Sequence, residues 1–379
     1  MTIRTLIAPA RYVQGEGALT LLGASLARLG STPLLVADDT VWGLVSSDVT
    51  ASLAEAQLPL NRSTFAGFTT AASIDRLVGE AKALSADVLV GIGGGSTIDA
   101  VKAAGHLAGI RWASVPTVAS TDAPCSALSV VYTDSGSFEE YRFFPHNPDL
   151  VLVDSRLVAN APVRLFIAGI GDALATWPEA RAVAQACSSA MAGSQPTVSG
   201  TALAKLSWEI LHEYGIQAVE AVRRNLVTAA VEKVIEANTL LSGLGFESGG
   251  LAAAHAIHDG LTAVPHTHGL THGEKVNIGT IAQLILEGRP TDEIAEFIEF
   301  TTRVGLPTSL TEVGLGGADD EVLLTIGRAA TAEGETIHNM PFAVSAKDVA
   351  QALAAVEGLS LLVRANAGLP APKPLINGH

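Results

Sequence analysis

The sequence has few cysteines and no long apolar run. Only two cysteines occur in 379 residues, Cys125 and Cys187, and neither belongs to a CxxC pair. They are too few for a disulfide framework and do not form a thiolate metal motif. No stretch of about eighteen apolar residues occurs, and the N-terminus lacks the apolar segment of a signal peptide. We therefore expect a cytoplasmic protein that has no membrane partner.

Basic residues are also scarce. The chain has 23 Lys and Arg against 38 Asp and Glu, a formal net charge of -15. A surface with this charge repels nucleic acid, and no run of Lys and Arg provides a local exception. We therefore expect no nucleic-acid partner. The 48% of apolar residues is typical of a globular α/β protein, and the length favours two domains.

The first 160 residues alternate strand-like and helix-like stretches. Residues 33–37 and 87–91 have the apolar character of buried strands, and residues 41–57 and 72–84 have helical spacing. Such an order predicts a parallel, Rossmann-like sheet with ligands at the carboxyl ends of its strands. After Pro162 the chain is helical in character throughout. We predict an α/β cofactor domain at 1–160, an all-α domain at 161–379, and a cleft between them.

A glycine-rich turn follows the strand at 87–91. In GIGGGSTIDA, residues 91–100, glycines would let backbone N–H groups approach a pyrophosphate, and the helix that begins near Ser96 would add positive partial charge. The pattern is not the dinucleotide fingerprint, because no acidic residue follows at the usual distance. A tight turn that serves packing alone is the alternative.

Asp38 stands at the end of the strand at 33–37. Its carboxylate could accept both ribose hydroxyls of an adenosine and would repel a 2′-phosphate, which favours NAD over NADP. It could equally cap the next helix. The hydroxyl-rich stretch VPTVASTDAPCSALS, residues 115–129, could bond a ligand or its own backbone.

Histidines cluster late in the chain. Five of the ten lie between residues 255 and 272, namely His255, His258, His266, His268 and His272. His255 and His258 share one helix face, so either could ligate a metal together with His272. Asp172, near a predicted helix start, could be the carboxylate ligand or a charge that favours the helix dipole. Two imidazoles and a carboxylate suit Zn²⁺ with an open position, a Lewis acid for alcohol oxidation beside a nicotinamide.

Five segments resemble one known family. GIGGGSTIDAVKA, VPTVASTDAPCSALSVVY, GDALATWPEARA, GFESGGLAAAHAIHDG and THGEKVNIGT are similar to the zinc-dependent glycerol dehydrogenases of the iron-containing alcohol dehydrogenase superfamily. The similarity covers nearly the whole chain. It implies the dehydroquinate synthase-like fold, with an α/β and a helical domain, and commonly an octamer. It also implies oxidation of glycerol, and of related vicinal diols, to ketones such as dihydroxyacetone with NAD⁺.

The resemblance also assigns roles to residues. Asp172, His255 and His272 match metal ligands, which leaves His258 to the substrate pocket. Asp122 matches the residue that hydrogen-bonds the polyol and completes the catalytic set, and Phe246 matches a pocket wall. The matches to NAD-contacting positions are Asp38, Gly94, Gly95, Ser96, Thr97, Ile98, Thr117, Ser120, Ser126, Leu128 and Tyr132. Thr176 replaces the additional histidine of iron-dependent relatives, and the three remaining ligands favour zinc.

Three departures from the family pattern leave the preferred alcohol open. Ser96 stands where glycerol dehydrogenases often have Lys, Pro178 is expected to interrupt the helix after Trp177, and the segment from His258 to His272 looks shorter than in some relatives.

Two other functions remain possible from the residues. One is a relative with a phosphorylated substrate, such as glycerol-1-phosphate dehydrogenase or 3-dehydroquinate synthase. Such a site needs several basic residues, and the nearest candidates are few: Lys102, Arg142 and Lys275. The other is a structural or storage zinc site, but no cysteine lies near the histidines to close it.

Overall fold

The computed structural model describes residues 3–134, 136 and 138–375. Their contacts form two compact units. We call Ile7–Phe166 with Glu220–Gly243 the sheet unit. The helical unit comprises the segment ending at Leu6, Ile167–Val219, and the chain from Leu244 onward. The predicted helical domain at 161–379 includes residues 220–243, whereas the contacts of these residues group them with the sheet unit.

The sheet unit contains a six-stranded parallel sheet and a two-stranded antiparallel hairpin. The sheet has the order β1-β8-β5-β4-β2-β3, and the hairpin joins β6 and β7. The strands are β1 Tyr12–Gly15, β2 Pro33–Ala37, β3 Asn61–Thr64, β4 Val88–Gly93, β5 Arg111–Pro116, β6 Leu128–Tyr132, β7 Phe138–Phe143 and β8 Leu150–Asp154. The parallel sheet confirms the predicted fold class.

The central strands are buried on both faces. Every residue of β2, β4 and β8 is buried, which explains why these strands appear in the sequence as continuous apolar runs. One face packs against Leu22, Val45 and Val49. The other packs against Ile74 and Val101, together with Leu77 and Ala104. Helices therefore cover both faces of the sheet.

The strand order creates a crevice at the carboxyl ends of β2 and β4. These two strands are neighbours, but the chain leaves β2 toward β3 at one edge and leaves β4 toward β5 on the opposite side. The loops after β2 and β4 thus diverge. Open α/β sheets bind ligands at such a switch point.

The chain has fourteen α-helices among its described residues. They are α1 Leu22–Leu26, α2 Asp39–Glu55, α3 Ala71–Leu84, α4 Gly95–Ala108, α5 Ser155–Asn160, α6 Val163–Ala186, α7 Val198–Val222, α8 Ala229–Glu236, α9 Ser242–Gly249, α10 Ala253–Thr262, α11 His272–Leu286, α12 Thr291–Val304, α13 Asp320–Ala330 and α14 Ala346–Asn366. None of the described helices is both long enough and apolar enough to span a membrane.

Pro178 does not end α6, so the interruption expected after Trp177 was wrong. The helix continues through the proline to Ala186. A proline inside a helix costs about 3 kcal/mol, because it removes a hydrogen bond and crowds the preceding turn. Most of α6 around Pro178 is buried, and this tertiary packing outweighs the local preference.

Candidate metal and cofactor sites

Three helices of the helical unit bring a carboxylate and two imidazoles together. Asp172 lies within α6, His255 lies in the first turn of α10, and His272 is the first residue of α11. One potential ligand atom from each residue lies within 4.8 Å of the other two. The Asp172 Oδ1 atom is 3.0 Å from His272 Nε2 and 3.3 Å from His255 Nε2. We call these three residues the metal cluster.

The electrostatics of the cluster favour a charged carboxylate. Burial raises the pKa of Asp172, but the charge of His272 and the hydrogen bonds from both histidines outweigh this effect and hold the pKa below its ordinary value. Only 2% of the Asp172 side chain is exposed. The protein therefore keeps a buried anion facing two imidazoles, which is the charge pattern that a divalent cation needs.

Glu179 fixes the orientation of His255. Its Oε2 atom lies 2.6 Å from His255 Nδ1, and its Oε1 atom accepts the backbone N–H groups of Ala252 and His255 at 2.8 and 3.0 Å. Burial lowers the pKa of His255, but Glu179 and Asp172 raise it well above its ordinary value. A carboxylate on Nδ1 assigns the proton to that nitrogen and leaves Nε2 to ligate.

Gln283 completes the support of the α10 N-terminus. The first N–H groups of a helix have no partner within the helix, and α10 lacks a side-chain cap of its own. Gln283 Oε1 accepts from Ala253 at 3.0 Å and from Ala254 at 2.9 Å. The turn that carries His255 is therefore held by two buried side chains from α6 and α11.

Glycines let the ligand-bearing helices approach each other closely. A Cβ atom on Gly273 would lie 1.8 Å from the carbonyl oxygen of Ala168, and one on Gly171 would lie 2.5 Å from the carbonyl oxygen of Gly273. These glycines are sequence neighbours of His272 and Asp172. The contact between α6 and α11 at this point excludes any side chain, and it brings the two ligands within reach of one metal.

The other three histidines of the segment lie outside the metal cluster. The His258 ring stands edge-on to His272 with centroids 4.2 Å apart, and its Nδ1 atom lies 2.9 Å from Asp259. Burial and the charge of His272 lower the pKa of His258 to about 3, so His258 is neutral at pH 7. His266 and His268 are exposed. The ligand role of the cluster and the substrate role of His258 stay predictions.

The glycine-rich turn lies at the switch point of the sheet. It joins β4 to α4, with Gly94 as the residue that precedes the helix. A Cβ atom on Gly94 or Gly95 would make only ordinary van der Waals contact, with its nearest neighbour at 3.9 Å, and both glycines are partly exposed. A diphosphate could approach this exposed backbone and meet the first N–H groups of α4.

Two contacts join the turn to the predicted cofactor residues. Thr117 N–H donates to the Gly93 carbonyl oxygen at 3.1 Å. Thr69 Oγ1 donates to the Ser96 carbonyl oxygen at 2.7 Å, and its own carbonyl oxygen accepts from Tyr132 N–H. The structure thus brings Ser96, Thr117 and Tyr132 together around one turn.

Asp38 lies at the carboxyl end of β2 and caps α2. Its Oδ1 atom accepts the Val41 N–H at 2.8 Å. The capping role is therefore observed, and the ribose contact stays a prediction because one carboxylate can serve both. Asp38 and the glycine-rich turn follow the two strands that flank the crevice.

The remaining predicted cofactor residues differ in exposure. Ser120, like Gly94 and Ser96, is partly exposed, whereas Thr97, Ile98, Ser126 and Leu128 are buried. Ser126 Oγ interacts with Lys102 Nζ at 3.1 Å and donates to Ala123. Contacts of these residues with a cofactor stay predictions.

Besides His258, the predicted substrate residues are Asp122 and Phe246, which belong to different units. Asp122 precedes a short 3₁₀ turn at Ala123–Cys125 in the sheet unit, and its Oδ2 atom accepts a hydrogen bond from Ser242 Oγ at 2.7 Å. Phe246 lies in α9 with 6% of its surface exposed. Their contacts with a substrate also stay predictions.

Sequence reasoning missed Glu179, Gln283, Thr69 and Ser242. A signal existed for Glu179, because it lies seven residues after Asp172 and so two turns along the same helix face. The other three act from elements distant in sequence, and no local pattern indicates them.

The sheet unit has a glycine-rich turn at its switch point, and the helical unit brings a carboxylate and two imidazoles together. These are the features expected of an oxidoreductase of the alcohol dehydrogenase type. Residues 9–155 match the protein family described as iron-containing alcohol dehydrogenase. The chain is 48% identical to a glycerol dehydrogenase of Thermotoga maritima over 94% of its own length and 97% of the relative's. The chain belongs to the iron-containing alcohol dehydrogenase family.

Two further relatives are similar to the chain over nearly its whole length. A glycolaldehyde reductase of Halobacterium salinarum is 48% identical over 94% of this chain and 98% of the relative. The crystal structure of a glycerol dehydrogenase from Schizosaccharomyces pombe superposes with a TM-score of 0.94 at 36% identity, over 99% of this chain and 95% of that one. The resemblance to glycerol dehydrogenases and the prediction that the chain is an enzyme are confirmed.

Proposed function

We propose that this protein is an NAD- and zinc-dependent dehydrogenase that oxidises glycerol to dihydroxyacetone and accepts related vicinal diols. The observation that carries the proposal is the metal cluster, together with the contact between the Glu179 carboxylate and His255 Nδ1. Relatives named glycerol dehydrogenase support the choice of substrate. The relative named glycolaldehyde reductase supports the reverse reaction on a small hydroxyaldehyde.

The residues of the cluster fit a zinc ion. Asp172, His255 and His272 would hold it, and three protein ligands leave a position open for substrate, as in catalytic zinc sites. Thr176, one turn after Asp172, is fully buried and contributes no imidazole or carboxylate. When bound, zinc would supply a Lewis acid that lowers the pKa of the substrate hydroxyl.

The crevice between β2 and β4 would bind NAD. The N–H groups after Gly94 would meet the diphosphate, and the Asp38 carboxylate would accept the ribose hydroxyls while it repels a 2′-phosphate. The position of Gly94, which is partly exposed and directly precedes α4 at the switch point of the sheet, is the observation that supports this placement.

Asp122 would orient the polyol by accepting a hydrogen bond from one of its hydroxyls. Bound NAD⁺ would supply the hydride acceptor, so that glycerol and NAD⁺ would give dihydroxyacetone, NADH and the proton released from the hydroxyl group. His258, with its pKa near 3, is an uncharged imidazole beside His272 at neutral pH. The octameric state and the cytoplasmic location stay predictions.

No observation favours a phosphorylated substrate. Each basic candidate already has a partner: Lys102 pairs with Asp99 at 2.8 Å, Arg142 pairs with Glu140 at 2.6 Å, and Lys275 donates to Thr262 at 2.8 Å. A phosphate site needs several cations free to face the ligand.

One experiment tests the proposal. The purified protein is analysed for metal, loaded with zinc, and assayed for NADH formation with glycerol, 1,2-propanediol and 2,3-butanediol, and for NADH consumption with glycolaldehyde. We expect about one zinc per chain and turnover with at least one diol. No turnover with any of these compounds by the zinc-loaded protein would contradict the proposal.

A further inference from the structure

An unusual helical turn lies in the sheet unit between α8 and α9. Residues Ala237–Leu241 form a π-helical turn, which follows α8 directly and leads into Ser242. Such turns are rare and occur frequently at functional sites. Four of its five residues are buried, so the turn is part of the packed interior of this unit.

Two side chains from this region reach the loops that carry the predicted cofactor and substrate residues. Asn238 Nδ2 donates to the carbonyl oxygen of Ala119 at 3.1 Å, within the loop after β5 that includes Thr117 and Ser120. Ser242 Oγ donates to Asp122 Oδ2 at 2.7 Å. The Asn238 bond holds the backbone of the loop after β5. The Ser242 bond holds the Asp122 carboxylate, which is predicted to bind the polyol.

The backbone next to Ser242 also touches the Asp122 loop. A Cβ atom on Gly243 would lie 2.9 Å from Cys125 Cβ and 3.2 Å from the Asp122 carbonyl oxygen. Only glycine fits at position 243, so the backbone next to Ser242 lies in close contact with the loop that carries Asp122.

The loop is held on its other flank by a buried ion pair. Lys102 Nζ interacts with Asp99 at 2.8 Å and donates to the Ala123 carbonyl oxygen at 2.8 Å, and Asn147 donates to the Cys125 carbonyl oxygen at 2.8 Å. These contacts fix the backbone of the loop. The Ser242 hydroxyl acts on the Asp122 carboxylate itself.

We propose that Ser242 is a positioning residue that orients the Asp122 carboxylate toward a hydroxyl of the polyol substrate. This inference rests on the proposed function, in which Asp122 binds the substrate. A carboxylate that loses a hydrogen bond samples more orientations, so its oxygen atoms face the substrate for less of the time. Asp122 contacts the substrate before and during reaction, so loss of orientation weakens binding in both states and raises KM more than it lowers kcat.

The test compares Ser242→Ala and Ser242→Thr in the full-length, zinc-loaded enzyme. We expect Ser242→Ala to raise the KM for glycerol about tenfold, because a hydrogen bond to a charged group contributes that much or more. The kcat value and the KM for NAD should change by less than about threefold. Ser242→Thr keeps the hydroxyl and should restore most of the glycerol KM.

A double-mutant cycle separates orientation from packing. In an Asp122→Asn background, Ser242→Ala should add little, because the charged acceptor is already gone. Ser155→Ala is the matched control, since Ser155 is a buried serine of the same unit whose hydroxyl has no hydrogen-bond partner among the described residues. Its kinetic constants should equal those of the wild type, and melting temperatures of all variants report their folding.

Four results would overturn the inference. An unchanged glycerol KM in Ser242→Ala would show that the hydroxyl does not orient Asp122. Equal increases of the KM for glycerol and for NAD, or a loss confined to kcat, would indicate general disruption instead of orientation. A wild-type enzyme that is inactive on every diol would overturn the proposed function and this inference with it.

Discussion

In the helical unit the candidate ligands are side chains held by other buried side chains, whereas in the sheet unit the candidate diphosphate site is backbone at the start of a helix. Asp172 and His255 depend on Glu179 and on the glycine contact near His272. The turn at Gly94 depends on the strand order, which places the first N–H groups of α4 at the switch point. The two sites should therefore respond differently to single substitutions.

The difference follows from what each ligand needs. A metal ion requires donor atoms placed within a few tenths of an ångström, so its ligands need support from residues that do not touch the metal. A diphosphate binds to several N–H groups and a helix dipole, and these persist whenever the helix forms. Substitutions in the metal cluster and in the residues that support it should therefore have larger effects than substitutions at the candidate diphosphate and ribose sites of the sheet unit.

The largest effect is expected from His272→Ala. Removal of one of three ligands should abolish zinc binding and lower activity by about a thousandfold or more, because a Lewis acid contributes several kcal/mol and each 1.4 kcal/mol is about tenfold in rate. Zinc content and turnover are measured together. His268→Ala is the matched control, because His268 is an exposed histidine outside the cluster. Full zinc content in His272→Ala would contradict the ligand assignment.

Gly273→Ala should be nearly as damaging although it removes no ligand. The added Cβ would lie 1.8 Å from the Ala168 carbonyl oxygen, so α6 and α11 must separate. We expect zinc loss, about a hundredfold lower activity, and destabilisation of about 3 kcal/mol. Gly358→Ala in α14 is the control: its Cβ would meet nothing within 4 Å, and the change should be neutral or slightly stabilising. Equal effects of the two substitutions would refute the close-contact argument.

Glu179→Gln should weaken zinc binding about 10- to 100-fold without unfolding the protein. Glutamine retains an acceptor for the Ala252 and His255 N–H groups but loses the charge opposite His255 Nδ1. Competition with a chelator measures the zinc Kd. Glu357→Gln is the control, because Glu357 also accepts from a backbone N–H group and a side chain, on Thr311, but lies outside the cluster. An unchanged zinc Kd in Glu179→Gln would exclude the orienting role.

The sequence alone predicts those features of the protein that depend on local patterns. The strand at residues 33–37, the glycine-rich turn and the helical character after Pro162 are local patterns, and the structure contains all three. Spacing alone left His255 and His258 as equal candidates, because both face one side of α10. The structure groups His255 with Asp172 and His272 among the described residues.

Other features depend on contacts between distant residues. Gln283 meets α10 from about thirty residues away, and Ser242 meets Asp122 across 120 residues. The assignment of Glu220–Gly243 to the sheet unit has the same cause, since helical spacing predicts a helix but not the surface on which it packs. Pro178 illustrates the opposite error, because a local rule was overridden by burial.

Asp38→Asn should have a moderate effect in the sheet unit. Asparagine caps a helix as well as aspartate does, so α2 should persist, but the loss of charge should raise the KM for NAD about tenfold and reduce the preference over NADP. Steady-state kinetics with both cofactors measure this. Asp319→Asn is the matched control, because Asp319 caps α13 with the same geometry. If both variants show the same preference for NAD over NADP, Asp38 acts only as the cap of α2.

The smallest predicted effect is on the stability of the folded protein at acidic pH. It involves His212, which belongs to neither candidate site. Burial lowers the pKa of His212 below its ordinary value of 6.5, although bonding to Trp208 and the charge of Glu296 act in the opposite direction. Between the two pKa values the unfolded chain binds more protons than the folded protein, so stability is complete above about pH 6.5 and declines as the pH falls toward the folded pKa. His212→Gln keeps a donor for the Trp208 carbonyl oxygen and cannot titrate. The melting temperature of this variant should fall less between pH 7.5 and 5.5 than that of the wild type, and an equal fall would assign the acid sensitivity to other groups.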